Sequence, residues 1–231
     1  MPLATVRTQE LAPPAAGRAL SVRVTEIFHS IQGEADAVGW PTVFVRLTGC
    51  PLRCTWCDTP YSFQGGDKRP LDDVLREVAS YRTRHVCVTG GEPLAQRNCL
   101  PLLTTLCDAG HQVSLETSGA LDISAVDPRV CKVVDLKCPG SGESARNRFE
   151  NLAHLTPRDQ LKLVIADRAD YEWARELCQA HGLPTICTVL FAPVADALPA
   201  TTLAEWILAD RLPIRFQLQL HKVLWGNVAG R

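Results

Sequence analysis

From Thr42 onward the chain alternates between short apolar runs of strand length and longer stretches in which apolar residues recur every three or four positions. That alternation limits the folds open to it. Strand-like runs fall at residues 43–47, 86–89, 113–116, 132–136, 161–165, 186–191 and 214–220, after an earlier one at 22–28. Amphipathic helical patterns fall at 71–81, 96–109, 144–154, 169–180 and 202–210. Gly110 and Gly182 stand where the second and fourth helices should stop, each ahead of a strand. Strand and helix in turn imply parallel strands joined by crossovers. The segment 119–129 is short and carries Pro128, which predicts a shortened crossover without a full helix. The pattern predicts an α/β fold, an incomplete (partial) β/α barrel with its active groups at the C-terminal ends of the strands. A chain of 231 residues need not divide. Residues 1–20, rich in alanine and proline, read as a poorly ordered extension, and 21–231 as a single domain without internal repeats.

The formal charge of −1 gives no reason to expect binding to nucleic acid or to an anionic membrane surface. No run is long and apolar enough to cross a bilayer. Ten cysteines would suggest disulfides in a small secreted chain, but the first twenty residues lack a continuous apolar segment and contain Pro13-Pro14. A reducing cytoplasm is the expected compartment.

Three of the cysteines stand in Gly49-Cys50-Pro51-Leu52-Arg53-Cys54-Thr55-Trp56-Cys57-Asp58-Thr59, at the end of the 43–47 run. An iron–sulfur cluster is ordinarily held by four thiolates. Three leave one iron of a four-iron cluster open to a small molecule, which suggests chemistry on a bound ligand. Zinc with a fourth ligand from elsewhere, or a dithiol at Cys54 and Cys57, are the alternatives for three close cysteines. Neither accounts for the three-residue first gap followed by Trp56 and Asp58-Thr59. Most of the other seven read as small buried hydrophobes; Cys138, after a strand end, is the exception.

The CxxxCxxC spacing resembles that of radical S-adenosylmethionine enzymes. In that superfamily the methionyl amine and carboxylate chelate the open iron of a 4Fe-4S cluster, and reductive cleavage yields a 5′-deoxyadenosyl radical. Thr89-Gly90-Gly91-Glu92-Pro93, at the end of the second strand of the alternation, resembles the superfamily's GGEP motif, whose backbone pairs with the methionyl amine. Alone, two glycines after a strand are equally a turn. The next strands end in Glu116-Thr117-Ser118-Gly119 and Asp135-Leu136-Lys137-Cys138-Pro139. Their carboxylate, hydroxyl and lysine groups suit ribose hydroxyls or a methionyl carboxylate, and helix caps equally well. The expected cofactor contacts are Trp56, Asp58, Gly91, Glu116, Ser118, Lys137, Cys138 and Pro139.

Glu26 to Glu34 (EIFHSIQGE), Gly39-Trp40-Pro41, Phe44-Val45-Arg46-Leu47 and Cys57-Asp58-Thr59 together resemble the 7-carboxy-7-deazaguanine synthase family. The likeness continues through Leu161-Lys162-Leu163-Val164-Ile165 to Gln217-Leu218-Gln219-Leu220-His221-Lys222, nearly everything after residue 22. It implies magnesium-dependent rearrangement of 6-carboxy-5,6,7,8-tetrahydropterin to 7-carboxy-7-deazaguanine with loss of ammonia, in queuosine and 7-deazapurine biosynthesis. The radical takes hydrogen from C6, the ring contracts, and the hydrogen returns to regenerate S-adenosylmethionine. By motif position Ile31, Gln32 and Gly33 line the pterin, Arg46 meets its carboxylate, Thr89 contacts it, His221 at the last strand end is a further contact, and Thr59 is the magnesium ligand. A planar guanidinium fork matches a carboxylate, and one hydroxyl beside substrate oxygens and waters suits a hard cation. The family also implies a homodimer and an external one-electron reductant such as flavodoxin. Singly, Arg46 reads equally as a structural ion pair and His221 as a satisfied barrel histidine. A glycyl-radical-generating activase and a zinc-binding structural module are the alternative functions. The chain departs from the family at Ala35, where Gly-Glu-Gly is usual, and in the tail after His221, where Arg231 has no assigned role.

Overall fold

The computed structural model describes residues 20–226 and 228–230. The expected N-terminal extension, apart from Leu20, and Arg231 lie outside the described residues. Strand β1 (Ser21–Ile31) pairs antiparallel with β2 (Pro41–Leu47), with a register shift between Val24 and Glu26. A short strand β3 (Asp67–Pro70) pairs antiparallel with the start of β1. There follow α1 (Leu71–Ser80), β4 (His85–Gly90), α2 (Cys99–Asp108), β5 (Gln112–Thr117), β6 (Cys131–Leu136), β7 (Gln160–Ile165), α3 (Arg168–His181), α4 (Leu183–Ile186), β8 (Thr188–Pro193), α5 (Ala200–Asp210), β9 (Arg215–Phe216) and α6 (Leu220–Trp225). Among the described residues one nine-stranded sheet has the order β3-β1-β2-β4-β5-β6-β7-β8-β9 and is parallel from β2 onward. β3 and β9 form its two ends, so the barrel stays open, as the alternation predicts.

Alternate residues of each strand point to opposite faces, and the two faces carry different chemistry. Val43, Val45 and Leu47 of β2, Val86 and Val88 of β4, Leu115 of β5 and Leu161 and Leu163 of β7 pack outward against Val74, Val78, Leu102, Leu106, Ala174 and Leu203 of the helices. Each such side chain contributes about 1.5–3 kcal/mol of apolar burial. On the concave side Arg46 stands in register with Thr89, and Asp135 with Lys162. A small apolar cluster of Ala35, Val133 and Leu190 is separate from the main core.

Four expected elements differ. Residues 144–154 form two 3-10 turns, Ser144–Arg146 and Phe149–His154, in place of a helix. Asn147 holds both the N–H and the carbonyl of Lys137, at 2.8 and 2.9 Å, and Asn151 donates to the carbonyls of Gly119 and Leu121. Those side chains stitch loops together, and extended backbone at Asn147 breaks the helical run. The strand expected at 186–191 begins only at Thr188, because Ile186 ends the short helix α4. The strand expected at 214–220 keeps only Arg215 and Phe216, so His221 sits in the first turn of α6 and not at a strand end. β3 carries three consecutive charged residues, Asp67, Lys68 and Arg69, and so shows no apolar alternation to predict it. Helix α2 starts at Cys99, after Gln96, whose side chain bonds the N–H and carbonyl of Arg23 and the carbonyl of Thr48.

Candidate active site

The strand ends surround a cavity of about 740 Å³, ample for two small ligands. Cys50, Cys54 and Cys57 line it from one side on the loop after β2. Two neighbouring strand ends hold this loop. Glu92 N–H donates to the Gly49 carbonyl at 2.8 Å, Leu52 is buried in full, and Thr55 N–H donates to the Ser141 carbonyl at 3.0 Å beyond β6. Gly91 is required by close approach: a Cβ there would sit 2.7 Å from Cys50 Cβ and run into the Gly49 carbonyl oxygen. Burial pushes the Cys50 and Cys54 thiols up, so they give up protons on binding metal.

Across the cavity, residues expected to meet the pterin are wired together. Gln32 Nε2 donates to Glu116 Oε1 at 3.2 Å, and Thr89 Oγ1 donates to Glu116 Oε2 at 3.0 Å. Glu116, expected among the cofactor contacts, thus stands with Gln32 and Thr89. Gln32 is fixed further because its Oε1 accepts from Glu34 N–H at 3.1 Å. Arg46 faces the same space, with Nε on Glu26 Oε1 at 2.7 Å and its guanidinium carbon 5.7 and 5.9 Å from the ring centres of Phe28 and Tyr61. Burial works against its charge, but the Glu26 hydrogen bond together with the charges of Tyr61, Glu26 and Glu116 raises its pKa above the ordinary value.

A row of alternating charges completes the cavity wall. Glu34 Oε2 lies 2.6 Å from Lys162 Nζ, Lys162 is 3.6 Å from Asp135 Oδ2, and Lys137 is 3.1 Å from the same oxygen. Gln219 donates to the other Glu34 oxygen at 2.7 Å. Lys137 feels the Cys54 sulfur, whereas Lys162 feels Glu116, so the row runs from the thiol side to the Gln32 side. His221 lines the cavity from α6, and burial pulls its pKa below the ordinary value despite the nearby Glu34 and Asp58 carboxylates, leaving it neutral at pH 7. Gly33 lies behind it, where any Cβ would collide with the His221 ring. Tail residues Val228, Ala229 and Gly230 also border the cavity, and Lys222 pairs with Asp58 at 3.2 Å.

Ile31, Trp56, Asp58, Thr59 and Ser118 line the cavity as expected, Thr59 Oγ1 lying 4.0 Å from Cys57 Sγ. Gly33, Cys138 and Pro139 do not. Cys138 is buried in the main core, which takes its side chain away from that rim, and Pro139 opens a 3-10 turn. Sequence reasoning misses Glu34, Asp135, Lys162 and Tyr61. The signal for Asp135 is its two-residue spacing from Lys137, and for Lys162 a lone charge inside an apolar strand.

The donor set fits a cluster with one open corner: three free thiols on one loop, beside a cavity. Among the described residues no three Cys, His, Asp or Glu side chains converge as a cage for a single ion. A four-iron cube presents its irons at separate corners, so its cysteines need not converge on one point. Residues 44–135 match the family model described as the radical SAM superfamily, a span from within β2 to the end region of β6 that contains the thiol loop. By class, then, this is a radical S-adenosylmethionine enzyme, and that class works with a 4Fe-4S cluster and S-adenosylmethionine. A 7-carboxy-7-deazaguanine synthase from Chlorobaculum tepidum is 45% identical over 208 residues, 89% of this chain and 94% of the relative. One from Koribacter versatilis is 44% identical over 219 residues, 88% and 97% of the two chains. The crystal structure of QueE from Escherichia coli matches with a TM-score of 0.72 at 25% identity, over 87% of this chain and 95% of that one. The chain belongs to the 7-carboxy-7-deazaguanine synthase family.

Proposed function

We infer that the protein converts 6-carboxy-5,6,7,8-tetrahydropterin to 7-carboxy-7-deazaguanine with loss of ammonia, as a step in queuosine and 7-deazapurine biosynthesis. The observation that carries this reading is the hydrogen-bonded set of Gln32, Thr89 and Glu116 beside Arg46, lining the same cavity as the three-thiol loop. When bound, the cluster and S-adenosylmethionine supply a carbon radical that removes hydrogen from substrate. The chain holds the cluster through Cys50, Cys54 and Cys57. The Gly91 backbone, Ser118 and Lys137 receive the methionyl and ribose groups, with Trp56 and Asp58 beside the loop. Gln32 and Glu116 offer a donor and acceptors to the pterin edge, Arg46 meets its carboxylate, and Ile31, Thr89 and His221 complete the wall. Thr59 supplies one magnesium ligand, the substrate and waters the rest.

One sheet runs from residue 21 to residue 216, which supports a single domain. We place the protein in a reducing cytoplasm, with a flavodoxin-like protein as electron donor; all ten cysteines are free. Among the described residues no helix is long and apolar enough to cross a membrane. Exposed Leu218, Val223, Leu224 and Val228 give the C-terminal segment an apolar surface that supports homodimer formation.

The test is anaerobic turnover with reductant, S-adenosylmethionine, magnesium and the carboxytetrahydropterin. Formation of the deazaguanine acid is expected, and its loss with iron and labile sulfide in Cys54→Ala. A protein that binds no pterin yet installs a glycyl radical on a partner would be an activase instead, and one holding zinc alone a structural module.

A further inference from the structure

Substrate and product of the proposed reaction differ by the elements of ammonia, so its second half is an elimination. A proton must reach the departing nitrogen and another must leave a ring carbon. Of the cations on the cavity wall, Arg46 does not give up protons at any ordinary pH. His221 is held neutral, and Lys222 and Lys137 stand on the thiol side, beside Asp58 and Cys54. Lys162 remains. Its side chain is 12% exposed, it projects from β7 into the Gln32 and Glu116 side of the cavity, and carboxylates flank it on both sides. Asp135 lines the cavity beside it, and its buried Oδ1 has no hydrogen-bond partner among the described residues.

We propose that Lys162 is a catalytic residue of the elimination: its ammonium protonates the nitrogen that leaves as ammonia, and the adjoining Asp135 carboxylate takes the proton from the ring carbon. The assignment rests on the function inferred above. The C–N bond breaks with its electron pair going to nitrogen, which receives a proton from Lys162 Nζ. The C–H bond breaks with its pair forming the ring double bond, and its proton passes to Asp135. Asp135 Oδ2 lies 3.6 Å from Nζ, beyond direct hydrogen-bond reach, so one water between them returns the proton to lysine and the cycle closes without oxidant, reductant or net proton. Glu34 keeps the ammonium charged and in place through its 2.6 Å contact. Burial works against the Lys162 charge, but Glu34 and Asp135 hold its pKa well above the ordinary lysine value, so the proton is present at neutral pH.

The test uses the cluster-loaded enzyme and substrate deuterated at C6, and reads two signals: deuterium appearing in S-adenosylmethionine, which reports hydrogen abstraction and return, and ammonia release. Lys162→Arg keeps the charge and its carboxylate partners but cannot donate a proton, whereas Lys162→Met keeps the length without charge. Loss of a general acid typically costs 10²- to 10⁴-fold. In both variants ammonia release should fall about 100-fold or more while deuterium transfer stays within a few-fold of the parent, and a ring-contracted amine isomeric with substrate should accumulate. Ammonia release at the parent's rate in Lys162→Arg would overturn the proposal. So would a parallel loss of both signals in the two variants, which would place Lys162 in binding or architecture. If the parent itself shows neither signal with the pterin, the functional reading fails, and the assignment of Lys162, which rests on it, falls with it.

Discussion

Ser118 donates both its backbone N–H and its hydroxyl to one carboxylate oxygen of Glu92, at 2.7 and 2.5 Å. Thr117 Oγ1 lies 2.9 Å from both Glu92 oxygens, and Leu94 N–H donates at 3.0 Å. Glu92 is wholly buried. The carboxylate of the glycine-rich motif therefore faces inward and ties the end of β4 to the end of β5. Through it, Ser118 is held at the cavity wall.

Glu92→Ala should destabilise the fold by about 3 kcal/mol or more, because it strands the Ser118 and Leu94 N–H groups, each worth about 1–3 kcal/mol when buried without a partner. Glu92→Gln, which keeps the shape but turns an amide toward some of these donors, should cost less. Urea unfolding of the parent and both variants decides the matter. Parent-like stability in Glu92→Ala would show that water or a rearranged loop satisfies those groups.

Arg46 is both a structural partner of Glu26 and a wall of the cavity, and the two roles make separate demands. Removing one side of a buried charged contact typically costs about 2–5 kcal/mol. Arg46→Ala should thus weaken binding of the carboxytetrahydropterin about 30-fold or more, with S-adenosylmethionine binding unchanged. Arg46→Lys keeps the charge but loses the planar fork and should recover only part of the loss. Unaltered pterin affinity in Arg46→Ala, measured by calorimetry, would leave only the Glu26 role.

The parts of this site that can be read from sequence are local ones. The thiol loop is a spacing within eight residues, Cys50 to Cys57, and most strands follow from apolar runs with a period of two. Glu34 and Lys162 stand 128 residues apart, and no local pattern pairs them; only the register that sets Lys162 beside Asp135 brings the row together. The helical period over residues 144–154 is genuine, yet Asn147 and Asn151 have better use elsewhere, bonding the Lys137 and Gly119 backbones. Tertiary hydrogen bonds override a weak local preference there. Ala35 illustrates the reverse. It takes φ of 63°, where a glycine is at ease, held by a 2.7 Å bond from its N–H to Gln217 and by contact with Val133 and Leu190.

That Ala35 backbone makes its own prediction. Left-handed backbone costs a non-glycine residue about 1–2 kcal/mol, while its buried methyl contributes less than 1 kcal/mol. Ala35→Gly should therefore be neutral or up to about 1 kcal/mol stabilising in denaturant unfolding. A loss above about 1 kcal/mol would mean that the methyl packing matters more than the strain.

Thr59 follows the thiol loop and lines the cavity between Cys57 and Tyr61. If it carries magnesium, Thr59→Ala should lose most of the stimulation of turnover by the ion, and Thr59→Ser, which keeps the hydroxyl, should retain much of it. Iron content has to match the parent in both variants, since a disturbed loop would imitate the effect. A normally loaded Thr59→Ala enzyme with an unchanged magnesium response would return Thr59 to the role of a turn residue.

The Glu34 pair fixes a direction for acid stability. Burial by itself would raise the Glu34 carboxyl, but the Lys162 charge and hydrogen bonds from Lys162 and Gln219 hold it at about 2, below its ordinary 4.5. A carboxyl depressed in the folded state stabilises the fold fully above its unfolded value and loses that contribution as protons bind. The loss should accordingly begin as pH falls below about 4.5 and be complete only below about 2. Glu34→Gln removes the titrating group. At pH 7 it should be less stable than the parent by about 3–5 kcal/mol, the usual cost of breaking one side of a buried ion pair. Because the parent alone loses the Glu34 contribution on acidification, the gap between the two proteins should narrow steadily from pH 4.5 downward. Unfolding midpoints in urea at pH 7, 4.5, 3.5 and 2.5 measure that gap. A constant difference across the series would mean that Glu34 titrates alike in the folded and unfolded chains, and that its contact with Lys162 does not hold the carboxylate ionised.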